Sequence, residues 1–315
     1  MKVLVTGANG FIGIHLCAYL AASDIPCRRA VRRPDDRGGD TEVVGDIDGT
    51  TDWSPALAGI TAVVHLAARV HVLREEADDP LAAFRRVNVA GTDRLARQAA
   101  AAGVRRFILL STIKVHGEET HAHPFAPDDP PAPTDPYGIS KLEAEEVLGQ
   151  VGRETGMEVV ILRPPLVYGR GVGGNFARLV RLVRQGWYLP LGSVSNRRSL
   201  IGVENLCSLI TLSLIHPAAA NRVLLVSDGR DLSTPELIRG IAEACGVSPR
   251  LLPFPPPLLH LLARLCGREM EVRRLTGNLQ VDSSQTSRLL DWDPPVSLEE
   301  GLRQSISGPV AATGW

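Results

Sequence analysis

Short apolar runs alternate with amphipathic stretches along the first half of the chain. The apolar runs are "KVLVT" at 2–6, "CRRAVR" at 27–32, "TEVVG" at 41–45, "AVVHLA" at 62–67, "RFILLS" at 106–111 and "EVVILR" at 158–163. Stretches between them, such as "IHLCAYLAAS" and "NVAGTDRLARQAAAAG", carry their apolar residues at helical spacing. Strands that helices cover on both faces are apolar throughout, as in parallel sheets. The pattern predicts an α/β fold built on a Rossmann-type, doubly wound parallel sheet.

The alternation loosens after residue 169. Residues 170–198 and 231–315 are richer in proline, turns and long helices, and we predict that they form a smaller C-terminal lobe that binds substrate. A strand-like run, "NRVLLVSD" at 221–228, is expected to return to the main sheet. The main domain is therefore predicted to comprise residues 1–169 with a returning segment at about 199–230.

The most lipid-like stretch is "LLPFPPPLLHLLARLC" at 251–266. Its prolines and the internal His260 and Arg264 make it too short and too interrupted to span a bilayer. We predict a buried helix that begins at a proline, and contact with a membrane surface is the alternative.

Composition and charge exclude several classes of function. The net charge is −1 at pH 7, so nothing indicates binding to nucleic acid or to an anionic membrane. The five cysteines are scattered without C-x-x-C spacing, which is typical of thiols in a reducing compartment, and no metal site is predicted. The chain enters a strand at "MKVLVTG", which we interpret as leaving no room for a signal peptide. We therefore expect a cytoplasmic protein.

The segment "TGANGFIG" at 6–13 follows the first predicted strand and opens a helix. Gly7 permits a tight turn, Gly10 lets a pyrophosphate approach the backbone, and Gly13 lets the helix pack closely on the strand. The helix N-terminus, with Phe11 and Ile12, offers N–H groups and the positive end of the helix dipole to phosphates. Strand, turn and helix follow one another as a dinucleotide site requires, so we predict that the domain binds NAD(P).

The end of the second predicted strand bears on which dinucleotide binds. NAD sites usually carry an acidic residue about 20 residues beyond the glycine loop, but Arg32 and Arg33 occupy that place here. An arginine can pair with a 2′-phosphate, so NADP is the predicted cofactor. The alternative is that Arg32 stacks on adenine and that NAD binds as well. Further cofactor contacts are predicted at the ends of the third and fourth strands, at Asp46, Ile47, Leu66, Ala67 and Ala68; His65 is predicted to be a core histidine.

Lysine is rare in this chain, and one of the few lysines follows a tyrosine by one helical turn. Of 34 lysines and arginines only Lys2, Lys114 and Lys141 are lysines, which leaves 31 arginines. In "TDPYGISK", Asp135 can cap a helix that places Tyr137 and Lys141 on one face. An ammonium beside a phenol favours the phenolate, so we expect the pKa of Tyr137 to be lowered. Lys141 can also bond the nicotinamide ribose.

A third reactive group is expected from a strand end that faces this helix. "LLSTIKVHGEE" at 109–119 offers Ser111 and Thr112, whose hydroxyl groups could hold the substrate oxygen that exchanges a proton with Tyr137. Glycine loop, hydroxyl pair and Tyr-x-x-x-Lys together favour a reactive site over an unrelated set of surface residues.

Taken in order, these segments resemble the extended short-chain dehydrogenase/reductase family, in its branch of sugar-nucleotide epimerases, dehydratases and reductases. The resemblance covers nearly the whole chain and includes "TGANGFIG", "HLAA", "LLSTIKVHG", "YGISK", "LRPPLVYG", "RRSLIGVENL" and "LQVDSSQTSRLLDWDPPVSLEEGL". It implies that Thr112, Tyr137 and Lys141 are catalytic and that Pro164 lies near the nicotinamide amide. It also implies a homodimer and a nucleoside-diphosphate sugar substrate, such as a UDP-sugar, whose diphosphate Arg198 binds. Asn175 and either Arg273 or Arg274 are further candidate contacts, and for these arginines a solvated surface position is the alternative.

The chain departs from the family pattern at two positions. His116 replaces the tyrosine of the family's V-Y-G segment, and Lys114 replaces what is often a small residue. If the segment is extended, Lys114 and Thr112 point the same way, and Lys114 reaches the sugar or its phosphates; a plain surface lysine is the alternative. Dehydratases of this family usually place an acidic pair at positions 113 and 114, so 4,6-dehydration is not expected.

Two activities of this branch fit the remaining features. Arg32 and the overall similarity to bacterial UDP-4-keto-6-deoxy-sugar reductases favour an NADPH-dependent reduction at C4 in polysaccharide biosynthesis. A UDP-sugar 4-epimerase with tightly bound NAD is the alternative. A non-catalytic NADP-sensing regulator is a remote one, because such proteins typically lose the tyrosine or the lysine.

Overall fold

A central parallel sheet of seven strands organises the computed structural model, which describes residues 1–70 and 78–306. The strand order is β3-β2-β1-β4-β5-β6-β9, so the chain reverses direction across the sheet after β3. The strands are β1 (Val3–Thr6), β2 (Cys27–Val31), β3 (Thr41–Val43), β4 (Ala62–His65), β5 (Arg106–Leu110), β6 (Glu158–Arg163) and β9 (Arg222–Leu225). The predicted doubly wound parallel sheet is confirmed. Two further strands, β7 (Leu166–Tyr168) and β8 (Leu200–Gly202), pair in parallel with each other.

Helices connect the strands and form the second half of the chain. They are α1 (Phe11–Ala22), α2 (Ser54–Leu57), α3 (Pro80–Arg85), α4 (Gly91–Ala101), α5 (Pro136–Thr155), α6 (Gly174–Arg184), α7 (Val203–Ile215), α8 (Thr234–Cys245), α9 (Pro256–Leu265), α10 (Glu269–Thr276), α11 (Ser284–Leu290) and α12 (Leu298–Ile306). Within the described ranges, no helix is long and apolar enough to cross a membrane.

Both faces of the sheet are covered by helices. Val3 and Val5 of β1 join an apolar core with α1 and α7, whereas Leu4 between them joins a core with α4 and α5 on the opposite face. Successive side chains of a strand point to opposite faces. A strand covered on both sides is therefore apolar at every position, which explains the continuous runs in the sequence.

A separate apolar core holds the second lobe together. It is formed largely by α6, α8 and α12, with Phe176, Val180, Ile241 and Leu302 among its buried members. The predicted division between the two lobes stays a prediction. The chain enters this lobe after β6 and β7.

The prediction of a buried helix within 251–266 is wrong in one respect. The helix α9 begins at a proline as expected, but only Ala263 of its ten residues is buried. Leu259 packs against the core of the second lobe, whereas Leu258, Leu261, Leu262 and Leu265 are exposed. The apolar residues of this short run, which begins with prolines, did not indicate which side of the helix would be exposed.

Candidate active site

The glycine turn lies at the carboxyl end of β1, and its backbone is closely packed. Gly7 has a φ of +64°, and a Cβ there would lie 2.9 Å from the Ala67 nitrogen. A Cβ on Gly13 would lie 2.2 Å from the Gly7 oxygen, so the turn and α1 touch directly. No side chain caps α1, whose N-cap is Gly10. The first turn of α1 therefore presents backbone N–H groups beside residues 66–68, and these residues fit the pyrophosphate of a dinucleotide.

Arg32 and Asp46 lie together at the rim of this edge, past β2 and β3. The Arg32 Nη1 is 3.4 Å from the Asp46 Oδ1, and both side chains are exposed. Ile47 packs toward the start of α4, where a Cβ on Gly91 would meet it at 2.6 Å. Arg32 is placed as the sequence predicted, at the end of the second strand, with a carboxylate as neighbour.

The helix α5 carries Tyr137 in its first turn and Lys141 one turn later. Asp135 caps the helix, as predicted: its Oδ1 accepts a hydrogen bond from the Gly138 N–H at 2.6 Å. Lys141 is 1% exposed, while Tyr137 is half-buried and packs against Phe84, with ring centroids 6.1 Å apart. The tyrosine and the lysine thus share a face of α5 that is turned into the protein.

Burial decides the acidity of both groups. Burial raises the pKa of Tyr137 well above its usual value, and the nearby Asp135 carboxylate raises it further. Burial lowers the pKa of Lys141 to about 8, although the Glu145 carboxylate opposes this change. The prediction that the protein's own groups lower the Tyr137 pKa is therefore wrong, because burial disfavours the phenolate and the Asp135 carboxylate acts in the same direction.

Thr112 follows β5 and is buried beside the N-terminal half of α5. Its Oγ1 accepts a hydrogen bond from the Lys114 N–H at 3.3 Å, which starts a single 3₁₀ turn at 113–115. The Ile113 N–H donates to the buried Pro164 carbonyl at 2.9 Å. The same turn packs on α5, since a Cβ on Gly138 would lie 3.0 Å from the Lys114 oxygen. Thr112, Pro164 and the start of α5 are therefore brought together.

His65, at the end of β4, is a core residue as predicted. It is 1% exposed, and its Nδ1 lies 2.7 Å from the Thr6 Oγ1. Burial and the nearby Lys141 ammonium lower its pKa to about 3, so the ring is neutral at physiological pH.

The predicted substrate arginines lie in the second lobe with carboxylates around them. The Arg198 Nη1 donates to the Gly277 carbonyl at 3.0 Å, and burial lowers the pKa of Arg198. The Arg274 Nη2 is 4.0 Å from the Glu118 Oε1. The Glu119 carboxylate partly offsets the lowering of the Arg198 pKa, and the Arg274 charge adds to it. The structure thus brings Arg198 and Arg274 together. Asn175 is exposed at the start of α6, and no contact joins it to these arginines in the described part of the chain.

Comparisons with known proteins agree with this geometry. Residues 3–226 match the model of the NAD dependent epimerase/dehydratase family. The chain is 47% identical to a UDP-glucose 4-epimerase from Vibrio cholerae, over 99% of this chain and 96% of that one. It is 30% identical to a GDP-6-deoxy-D-mannose reductase from Pseudomonas aeruginosa, over 97% and 96%. The crystal structure of a UDP-glucuronic acid 4-epimerase from Bacillus cereus with NAD has the same fold, with a TM-score of 0.76 at 23% identity over 97% of each chain.

The chain belongs to the NAD dependent epimerase/dehydratase family. It is an enzyme of the branch that acts on sugar nucleotides, so the regulator reading is not supported. The family match extends from β1 to β9 and includes the glycine turn, Thr112, Tyr137 and Lys141. The particular role of each of these residues stays a prediction.

Lys114, the first departure from the family pattern, does not point with Thr112. The 3₁₀ turn redirects it, and its Nζ lies 2.5 Å from the Asp135 Oδ2 and 2.7 Å from the Glu118 Oε1. The expectation that Lys114 and Thr112 share a direction is wrong, because the segment is not extended. Lys114 instead connects the turn after β5 to the residue that caps α5.

His116, the second departure, belongs to a buried network that sequence reasoning missed. The Glu145 carboxylate pairs with Arg163 and accepts a hydrogen bond from the Ser111 hydroxyl, while Arg163 Nη1 donates to His116 Nε2 at 2.8 Å. Burial and the Arg163 charge lower the pKa of His116 to about 4. One signal was available: Glu145 follows Lys141 by one helical turn, so it faces the same strand ends.

Asn88 is a second residue that the sequence reasoning did not single out. It lies in a π-helical turn just before α4 and is 1% exposed. Its amide donates to the Ser140 Oγ at 2.9 Å and its oxygen accepts from the Arg69 N–H at 2.8 Å. Asn88 therefore ties α5 to the segment after β4, and its place inside an amphipathic helical pattern hid it.

Proposed function

We propose that the protein is a UDP-sugar 4-epimerase that interconverts UDP-glucose and UDP-galactose with bound NAD. The observation that carries the proposal is 47% identity, over nearly the full length of both chains, to a UDP-glucose 4-epimerase. Epimerisation inverts the C4 carbon through removal and return of a hydride and a proton. It therefore needs a base, an oxygen-binding group and a redox cofactor at one place.

The residues at the carboxyl edge of the sheet supply the first two of these. Tyr137 takes the proton of the C4 hydroxyl. It returns the proton to the C4 oxygen after the keto sugar has turned its opposite face toward the nicotinamide. Thr112 holds the same oxygen by its hydroxyl, and Lys141 bonds the cofactor ribose and favours the phenolate by its charge. NAD held at the glycine turn would supply the acceptor and the donor of the C4 hydride. The carboxyl edge beside the glycine turn is the place where open α/β sheets bind their ligands.

The assignment of the cofactor to NAD follows from this proposal. An epimerase returns the hydride to the same substrate, so it retains one cofactor molecule through many turnovers. Asp46 beside Arg32 gives the rim a carboxylate that can accept a hydrogen bond from a ribose hydroxyl, while it reduces the positive charge that a 2′-phosphate would meet. These contacts support NAD over NADP.

A C4 reductase of a nucleotide-linked keto sugar is the second candidate. Arg32 at the end of β2 and the 30% identity to a GDP-6-deoxy-D-mannose reductase support it. A reductase consumes a reduced cofactor at each turnover. The two candidates therefore differ in whether cofactor stays bound and in whether NAD(P)H is used up.

The deciding experiment supplies purified protein with UDP-galactose and no added cofactor. The epimerase predicts formation of UDP-glucose, and it predicts NAD among the molecules released on denaturation. Tyr137→Phe should fold normally, retain the cofactor and lose about 10²- to 10⁴-fold in turnover, because the proton acceptor is gone. Stoichiometric loss of NADPH with a UDP-4-keto-6-deoxy-hexose, and no epimerisation, would instead establish the reductase.

A further inference from the structure

Four leucines of α9 form a stripe that faces solvent. Leu258, Leu261, Leu262 and Leu265 stand at the i, i+3, i+4, i+7 positions of one helix face, and they are 44%, 54%, 45% and 76% exposed. A surface helix normally turns such a face to the core. Here the opposite side is anchored instead, through the buried Ala263. The leucine stripe therefore has no counterpart in the described part of the chain.

The helix is held firmly enough to present this face. Leu259 packs against the core of the second lobe, and the His260 Nε2 lies 2.9 Å from the Thr276 Oγ1 at the end of α10. The exposed stripe is thus a surface of the folded lobe.

A second group of exposed apolar side chains lies on the segment that leads into α9 and on residues 187–189, whose backbone pairs with that segment. Leu189 and Leu252 pair through their backbones, with the Leu252 N–H donating to the Leu189 oxygen at 2.9 Å. Trp187, Tyr188 and Leu252 are 59%, 62% and 45% exposed, and the Arg250 guanidinium stacks over the Tyr188 ring at 5.2 Å. Tryptophan and tyrosine are the residues that the boundary between water and lipid favours.

The charge of this region is mainly positive, although α10, which packs on α9, carries the exposed Glu269 and Glu271 as well as Arg273 and Arg274. Between Glu243 and Glu269 the chain carries no acidic residue, whereas Arg250, Arg264 and Arg268 are all exposed. The chain as a whole has a net charge of −1, so this basic stretch stands out from its surroundings. The leucines of α9, with Arg264 on the same helix and Arg250 and Arg268 before and after it, complement the acyl chains and the phosphates of an anionic lipid surface.

We propose that the leucine stripe of α9 docks this enzyme on the surface of an anionic phospholipid membrane. The helix has ten residues and lies in the boundary region without crossing it, with the leucines toward the acyl chains and the arginines at the phosphates. The proposal goes beyond the epimerase activity and does not depend on it.

The test is flotation of the full-length protein with lipid vesicles in a density gradient. Wild-type protein should float with phosphatidylglycerol-containing vesicles. The amount of protein that floats should be about tenfold lower with pure phosphatidylcholine vesicles, or at high salt. Leu261→Glu/Leu265→Glu should lose binding to both vesicles. Arg264→Gln/Arg268→Gln should lose only the preference for phosphatidylglycerol. Ile215→Glu, which alters a 65% exposed isoleucine at the end of α7, is the matched control and should float like wild type.

Wild-type protein that stays in the soluble fraction with phosphatidylglycerol vesicles would overturn the proposal, as would unchanged flotation of Leu261→Glu/Leu265→Glu. A third outcome is that wild-type protein does not bind vesicles and sediments as a larger assembly than the Leu261→Glu/Leu265→Glu variant. In that case the leucine stripe joins two copies of this chain, and the proposal is also overturned. Circular dichroism checks the fold, and Leu261→Ser/Leu265→Ser replaces the glutamate pair if the latter does not fold.

Discussion

Lys114 forms an ion pair close to Tyr137, the predicted base. Its ammonium contacts the carboxylate of Asp135, and that carboxylate both caps α5 and raises the pKa of Tyr137. The lysine therefore offsets a negative charge that disfavours the phenolate. From the sequence, Lys114 was expected either to contact the sugar or its phosphates or to be a plain surface lysine. From the ion pair we infer a role through Asp135 instead.

We expect Lys114→Met to raise the pKa that controls turnover, because the Asp135 charge is then less compensated. The midpoint of the rise of kcat with pH should shift to higher pH by as much as about one unit. At neutral pH, kcat should fall by up to about tenfold. Asp135→Asn should move the profile the other way, since asparagine still caps the helix but carries no charge. The measurement is kcat and KM for UDP-galactose across pH.

Lys114→Arg is the control that keeps the positive charge, and it should behave like wild type. A raised KM with an unchanged kcat profile in Lys114→Met would mean that the lysine contacts the substrate. Turnover and KM both unaltered would mean that Lys114 is a surface residue without influence on the site.

Gly13 of α1 and Gly149 of α5 differ in how closely their surroundings are packed. Gly13 of α1 touches the turn before it, and its nearest neighbours are backbone atoms. Gly149 of α5 faces only the end of the Arg153 side chain, 3.4 Å from a Cβ placed there. The first glycine is required by packing, and the second is tolerated.

Gly13→Ala should therefore destabilise the protein by about 1–3 kcal/mol and reduce the NAD that copurifies, because the turn must move away from α1. Gly149→Ala is the matched control and should stabilise by about 0.5–1 kcal/mol, since alanine favours the helix and the arginine end can shift. Urea unfolding of the cofactor-free protein measures both. Equal stability of the two variants would contradict the close contact at Gly13.

At the scale of the molecule, folding leaves two histidines neutral inside the protein. Burial is the main cause that lowers the pKa of His65 to about 3 and of His116 to about 4. In the unfolded chain both rings take up a proton below a pH of about 6.5. Below that pH the unfolded state binds more protons than the folded one, so stability falls as pH falls.

The unfolding free energy should decrease by about 1.4 kcal/mol per pH unit for each of the two histidines between about pH 6 and pH 4. His116→Gln removes one of them and should make this decrease shallower. His121→Gln, at an exposed position, is the matched control and should leave the slope unchanged. Denaturant titrations at several pH values give the slopes, and identical slopes in all three proteins would contradict a neutral buried His116.

The sequence by itself determined the parallel sheet, the glycine turn and the helix that begins at Asp135, because each depends on neighbours close along the chain. Continuous apolar runs require covered faces, and a capping aspartate acts within three residues. The Tyr137 and Lys141 pair could be predicted for the same reason, since one helical turn sets their spacing.

Only the tertiary structure decided the remaining features, since these depend on contacts between distant segments. The redirection of Lys114 toward Asp135, the network of Glu145 with Arg163 and His116, and the raised pKa of Tyr137 all arise from elements that meet in space. The exposed stripe of α9 belongs here too. An apolar helix face is the same in the sequence whether the fold covers it or leaves it free, and only the packing of the second lobe decides.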